Sequence, residues 1–274
     1  TLLCLDMARE LSETINIPAD VEKHLDLTSG SDRGRIFRIA PVGFRVPPAP
    51  RLSRASAAEL VAPLESPHGW WRDPPHRPLF ERQDKSPVPA LAQPAARGVS
   101  PQARVHALWS LRGLQALDDT VIARGLADAH PGVRVNALRL AESRLEASPE
   151  LRDQVRGLVS DPDPHVRLQL AFAVGETQAW NQAELLGRLV VENGEDTWLR
   201  SAVLSSTANC AGELLARVTA AGSLRGKAAG AEFLRQLAIV IGAQNRPADL
   251  ARAVEVLAGL PEPQVALPLV GALG

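Results

Sequence analysis

Apolar positions recur along this chain at helical spacing, and between Pro101 and Cys210 they recur in one shared frame. Val105, Leu108 and Leu111 follow Arg104; Val135, Leu138 and Ala141 follow Arg134; Leu168, Ala171 and Val174 follow Arg167. That spacing gives each segment one apolar helical face. Four segments align without a gap, PQARVHALWSLRGL, PGVRVNALRLAESR, PHVRLQLAFAVGET and TWLRSAVLSSTANC, each with arginine fourth. Arg104, Arg134, Arg167 and Arg200 are thus 30, 33 and 33 residues apart. A degenerate copy, GWWRDPPHRPLFER, puts Arg72 a further 32 residues upstream of Arg104. Each segment is preceded by another helical pattern, as in DDTVIARGLADAH, ELRDQVRGLVS and NQAELLGRLVVEN. Self-similarity at this period marks an array of supersecondary units, and two antiparallel helices per unit stack into an α-solenoid. The fold class is therefore mainly α.

Outside the array the pattern changes. Residues 1–40 read as a short buried strand in TLLCLDMAREL, a short helix in IPADVEKHLDL, a turn at Ser29 to Asp32 and an alternating strand, Arg35 to Ile39. This is too little β-structure to bury itself, so it reads as the tail of a larger sheet. Residues 41–56 hold Pro47, Pro48 and Pro50 and form an extended linker. The helical region is 57–274, most regular over 101–210. Six prolines (74, 75, 78, 87, 89 and 94) interrupt 69–100. Interior proline costs a helix about 3 kcal/mol, so this segment is expected to be bent, partly irregular or poorly ordered. Beyond Cys210 the spacing predicts helices over 211–220, 228–242, 248–259 and 263–272. Breaks fall at Gly222, at Asn245 to Pro247 and at Pro261 to Pro263.

Composition narrows the function more than the fold. Lys plus Arg is 30 against 31 Asp plus Glu, so no global charge favours nucleic acid. Aromatics make up only 4% of the chain, which leaves Ala, Leu and Val to fill the core. Cys4 and Cys210 stand alone and form neither CxxC nor CxxCH, so no structural zinc or c-type haem motif lies within the chain. No apolar run reaches the length of a membrane span. The chain opens on Thr and ends in ALPLVGALG, and it reads as a piece of a longer protein.

The arginine column (Arg72, Arg104, Arg134, Arg167, Arg200) is the clearest repeated polar feature. Aligned cations suit a carboxylate-rich partner or a phosphate backbone. The alternative is structural: each arginine pairs with an acid in the adjacent turn, Asp128, Asp161 or Asp163, with Asp163 also capping its helix. The spacing equals the repeat, which favours the structural reading. His68 and His76 lack a carboxylate or cysteine at ligand spacing, so the six histidines read as polar surface groups. Trp70 and Trp71 are expected to plug the start of the array, and Trp109 to pack between repeats. Ser110, Ser205 and Ser206 have no His and acid nearby in sequence, and no G-x-S-x-G or G-x-G-x-x-G motif occurs. No catalytic, cofactor or metal residue emerges.

Two resemblances sharpen these expectations. Pro131-Gly-Val-Arg134 and Pro164-His-Val-Arg167 are similar to the opening of the second helix in HEAT repeats. DMARE, IPADVEKHLDLTSGSDRGRIFRI, PVGFRVPPAPRLSRAS and HGWWRDPPHRPLFERQD, in that order, resemble the junction in PVC-type haem-binding CxxCH proteins, also called membrane-bound dehydrogenases. Ala8 departs from that pattern, where an aromatic is usual. The resemblance implies a sugar-dehydrogenase-like β-propeller before residue 40 and a cytochrome c domain after the HEAT-like repeats. It also implies an exported or periplasmic parent that uses haem c and a quinone. None of that chemistry has a residue here, so the chain itself is expected to be a non-catalytic scaffold. The alternative is a free-standing HEAT-repeat module that binds another protein.

Overall fold

The computed structural model describes residues 2–6, 17–26, 34–45, 51–178, 180–224 and 227–274. The chain divides into two units, residues 1–50 and 51–274.

In the first unit, β1 (Leu2–Asp6) pairs antiparallel with β2 (Arg35–Ile39), in a register that sets Cys4 opposite Phe37. Between them in sequence lies α1 (Ala19–Glu22), with Pro18 at its N-cap and Asp20 and Glu22 in its first turn. The opening strand forms as expected, but it is not buried. Leu3, Leu5, Ile36, Phe37 and Ile39 are all exposed. Two strands offer no second layer to cover an apolar face, so among the described residues of this unit the alternation of β2 has nothing to pack on. The turn expected at Ser29 to Asp32, and Pro47, Pro48 and Pro50 of the linker, lie outside the described residues.

Every regular element described in the second unit is helical. After a 3₁₀ turn (Ala62–Glu65) come α2 (Gly69–Arg72), α3 (His76–Arg82), α4 (Val88–Arg97), α5 (Pro101–Gly113), α6 (Asp119–Leu126) and α7 (Pro131–Ala141). Next are α8 (Pro149–Gly157), α9 (Pro164–Gly175), α10 (Gln182–Asn193) and α11 (Thr197–Ser205). The unit closes with α12 (Ala211–Ala221), α13 (Ala228–Gln244), α14 (Pro247–Ala258) and α15 (Pro263–Ala272). The second helices pack in unbroken succession: α3 on α5, α5 on α7, α7 on α9, α9 on α11, α11 on α13 and α13 on α15. The first helices make the other layer, with α4 on α6, α6 on α8, α10 on α12 and α12 on α14; the 3₁₀ turn Leu158–Ser160 bridges across to α10. Two stacked layers of helix pairs form a solenoid-like array.

Local chemistry explains where these helices begin. Ser100, Asp118, Asp163, Asn181 and Asp196 each accept an N–H of the helix they precede, filling one of its orphan donors. Proline occupies the first turn of α5, α7, α8, α9, α14 and α15, where its missing N–H costs nothing. Gly222 (φ 72°) ends α12 and Asn245 (φ 49°) ends α13, both in the left-handed conformation.

The proline-rich stretch is more regular than its sequence suggests. Pro74 and Pro75 do break the chain, falling between α2 and α3. Pro78 is the third residue of α3 and Pro89 lies in the first turn of α4, where a proline is tolerated. Only Pro94 is interior. Its ring is buried beside Leu91 and Ala95, and its carbonyl still accepts the Gly98 N–H at 2.9 Å. Core burial thus offsets one lost backbone bond.

A single apolar core runs from Val61 to Leu269, built mostly of Leu, Val and Ala, with Phe233 fully buried in it. A smaller cluster of Ala57, Leu60 and Leu79 sits at the start. Helices α6 and α7 approach so closely that a Cβ on Gly125 would lie 2.9 Å from that of Ala137. Small residues in the sequence become close-packed layers in the fold.

Candidate functional site: the polar face of the second helices

All five column arginines do one thing in common. Each sends Nη1 to the carbonyl six residues upstream: Arg72 to Ser66 (3.2 Å), Arg104 to Gly98 (2.9 Å), Arg134 to Asp128 (2.9 Å), Arg167 to Asp161 (2.6 Å) and Arg200 to Gly194 (2.6 Å). These carbonyls belong to the turn before the second helix, where a chain leaving a helix has acceptors without partners. The arginine therefore fastens each turn to the helix that follows it.

Two of the five reach further. Arg104 grips Asp128 through Nε (2.7 Å) and Nη2 (2.9 Å), and Arg134 grips Asp161 likewise (2.8 and 2.7 Å). Both aspartates belong to the next turn along the array, so these bidentate pairs tie one helix pair to its neighbour. Asp128 and Asp161 also accept the N–H of His130 (2.8 Å) and Asp163 (2.9 Å). Asp163 meets no arginine; its carboxylate caps α9 and contacts His165. The series stops at Arg167, because Gly194 stands 33 residues after Asp161. Arg167 Nε is buried there without a hydrogen-bond partner. Arg200 adds only Thr197 (3.1 Å), and Arg72 lies 3.5 Å from its neighbour Asp73. The column is spent on the protein's own backbone and carboxylates.

A second polar constellation escaped the sequence. Ser110 Oγ lies 3.2 Å from His76 Nδ1, His76 Nε2 meets His106 Nδ1 in a hydrogen bond, and His106 Nε2 lies 3.3 Å from Asp73 Oδ1. The two rings are 4.5 Å apart between centroids and tilted by 46°. His76 and His106 are thus not independent surface groups, and Ser110 does have a histidine beside it. The signal lay in the period: His76 follows Arg72 by four residues and His106 follows Arg104 by two, on second helices that the repeat makes neighbours. Burial pushes His76 down to about 4, helped by His106 and opposed by the Asp73 charge. His106 is also lowered, by burial first, against the pull of Asp73. Beside this row is a cavity of about 370 Å³ lined by Asp73, His76, Phe80, Trp109 and Ser110. Ser110 sits inside α5, whose N–H groups are committed to the helix. The row therefore lacks the free pair of N–H donors that an acyl-transfer serine needs.

The tryptophans divide. Trp109 is exposed (39%) but donates Nε1–H to Asn136 Oδ1 at 2.8 Å, joining α5 to α7. Trp180 is buried. Trp70 is 80% exposed, which overturns its expected role as a plug; Trp71 is half-buried. A helix as short as α2 has one inward face, and Trp71 and Arg72 take it. Trp198 is also 78% exposed, in the first turn of α11. Further along the same layer Arg139 donates to Gln169 (2.9 Å) and Gln169 to Glu142 (2.8 Å), again across repeats. Arg139 and Glu142 border a cavity of about 340 Å³ that also takes in Trp109, Arg112 and Glu176. Burial holds the Glu142 carboxyl above its ordinary value, against the Gln169 hydrogen bond.

Cys4 and Cys210 are free thiols, and burial pushes Cys210 up to about 11. No helix among the described residues is long and apolar enough to cross a membrane. Comparison of the whole chain with protein-family models and with curated proteins gave no match.

Proposed function

We propose that this chain is a non-catalytic, HEAT-like scaffold that holds its neighbours at a fixed separation. The observation that carries this reading is the continuous core from Val61 to Leu269, crossed by the Arg104–Asp128 and Arg134–Asp161 ties between adjacent helix pairs. Over residues 104–161 an array bonded in this way resists bending locally, because a hinge there must open both apolar contacts and a part-buried ion pair. The likeness of residues 5–84 to the membrane-bound dehydrogenase junction supplies the neighbours: a propeller upstream and a cytochrome c domain downstream, in an exported electron-transfer protein. In that parent, β1 and β2 close the propeller, which gives the exposed Leu3, Leu5, Ile36, Phe37 and Ile39 something to pack on. Haem and quinone belong to those neighbours.

Spin labels at Arg77→Cys and Arg252→Cys, exposed sites near the two ends of the array, test the scaffold. Cys4 is replaced by Ser, and the buried Cys210 stays unreactive. One narrow distance distribution is expected by pulsed electron resonance. A broad or multiple distribution refutes a rigid spacer. A protein-binding module is the second reading, favoured by the exposure of Trp198 (78%) and Phe172 (42%) on the second helices.

A further inference from the structure

We infer that His76 and His106 form a two-histidine site for a nitrogen-preferring divalent transition metal ion, such as Zn²⁺, at the edge of the cavity between α3 and α5.

The inference begins with the tautomers. A neutral imidazole carries one proton, and the partner of one ring nitrogen decides whether the other shows a lone pair. Asp73 is a carboxylate and only accepts, so His106 Nε2, 3.3 Å away, carries the hydrogen. His106 Nδ1 is then bare, and it faces His76 Nε2. The far side of His76 is held by Ser110 Oγ at 3.2 Å, a hydroxyl that either donates or accepts. While Ser110 donates, His76 carries its proton on Nε2 and the rings share a hydrogen bond. When Ser110 turns to accept, that proton moves to Nδ1. Two lone pairs then converge on one point from opposite rings. A metal ion takes the place of the bridging proton, and Asp73 and Ser110 become the outer partners that ligating histidines regularly possess.

The surroundings suit such an ion. Zn–N bonds of about 2.0–2.1 Å in tetrahedral geometry set two ligand nitrogens roughly 3.3 Å apart, so the rings must separate slightly. His76 is the first residue of α3, so its side chain is set on the opening turn of that helix. Of the nearby arginines, Arg72 donates to Ser66 and lies 3.5 Å from Asp73, and Arg77 pairs with Glu81 at 2.7 Å, so each has a carboxylate beside it. No group of three or more His, Cys, Asp or Glu converges among the described residues, so protein supplies two ligands here. Water or an exogenous ligand in the adjoining cavity completes the shell, which leaves the ion with open positions.

Calorimetric titration of the full chain with Zn²⁺ at pH 7 tests this. Wild type is expected to bind one ion that both His76→Ala and His106→Ala lose, while His130→Ala keeps it. Asp73→Asn should weaken binding by about 10–100-fold, the usual effect of losing an outer partner. To guard against misfolded variants, the imidazole C–H signals of the wild-type chain are followed by NMR as Zn²⁺ is added. Two histidines should shift together at equal occupancy. Failure of the wild type to bind, uptake undiminished in both alanine variants, or shifts confined to other histidines would overturn the site.

Discussion

Removing the Arg134 guanidinium takes away four bonds at once. It donates to Asp161 at 2.8 and 2.7 Å, to the Asp128 carbonyl at 2.9 Å and to the Ala129 carbonyl at 3.1 Å. In Arg134→Ala the Asp161 carboxylate, only 4% exposed, keeps one donor, the Asp163 N–H. Breaking a buried pair from one side costs about 3–5 kcal/mol. The Arg134 side chain is 12% exposed, so water partly replaces it, and the lower end, about 3 kcal/mol, applies. Arg167 supplies the internal control. It bonds two carbonyls, at 2.6 and 3.0 Å, has no carboxylate, and holds a buried Nε without a partner. Its removal should cost about 1 kcal/mol, since two ordinary hydrogen bonds are lost and one unsatisfied donor is relieved. At about 2–4 °C per kcal/mol for a domain of this size, Arg134→Ala should melt about 6–12 °C below wild type. Urea unfolding followed by circular dichroism should give the same order, with an unchanged slope. Arg134→Lys, which keeps the charge but cannot form the fork, should fall between. If Arg134→Ala is no less stable than Arg167→Ala, the cross-repeat pair contributes nothing and the reasoning fails.

Two further outcomes follow from the structure. His76 titrates near 4 in the folded chain against 6.5 unfolded, so unfolded chains bind the extra proton between those values. Folding stability should therefore drop as pH falls from 6.5 toward 4, and the drop should be smaller in His76→Gln; parallel stability–pH profiles for the two proteins would contradict this. Trypsin should cut first at Arg45 or Arg51, both exposed and flanking the boundary between the two units at Pro50 and Arg51, and leave the helical unit intact. Early cleavage at Arg97 instead would mean that the proline-rich helices are not packed as described.

Much of the helical unit was legible in the sequence, because its signals are local. Arginine four residues into each segment, apolar residues one turn apart, and proline or aspartate at the start of a helix all act within a dozen positions. Even past Cys210, where the arginine column lapses, the expected 211–220 and 263–272 match α12 and α15 closely. Proline misled the reading of 69–100, since its cost depends on where in a helix it falls and on what its ring touches. Pro78 and Pro89 lie in first turns, and only Pro94 tests the rule. Trp70 shows the converse limit. Its neighbour Trp71 is equally apolar, and only the path of α2 decides which indole faces inward. The His76–His106 contact needed the two helices to be neighbours, which the period supplies, and the rings to face each other, which no local pattern encodes.

The two bidentate pairs give the array a direction. Arg104 reaches forward to Asp128 and Arg134 reaches forward to Asp161, and each aspartate is also braced by an N–H of its own turn. Each tie therefore fastens a second helix to the turn ahead of it, and that turn is in turn fastened by its own arginine. The chain of dependence runs from α5 through α7 to α9 and ends at Gly194, where no side chain can accept. The space a Cβ would need there is already crowded: Leu224 Cδ2 and the Val190 carbonyl oxygen would each lie 2.7 Å from it. Beyond that point different contacts take over. Asp249 receives the Gly212 N–H at 3.0 Å, and Arg246 donates to the Ala208 carbonyl, so the tie between α12 and α14 runs through first helices rather than second ones. Part-buried ionic coupling between repeats is thus concentrated over residues 104–161, while the C-terminal helix pairs combine apolar burial around Leu214, Phe233 and Leu237 with the exposed Arg252–Glu213 and Lys227–Glu195 pairs. Apolar contacts are non-directional and tolerate small slides, whereas a bidentate fork fixes distance and angle together. The array should accordingly be stiffest where Arg104 and Arg134 sit, and any bending under load should begin after α9.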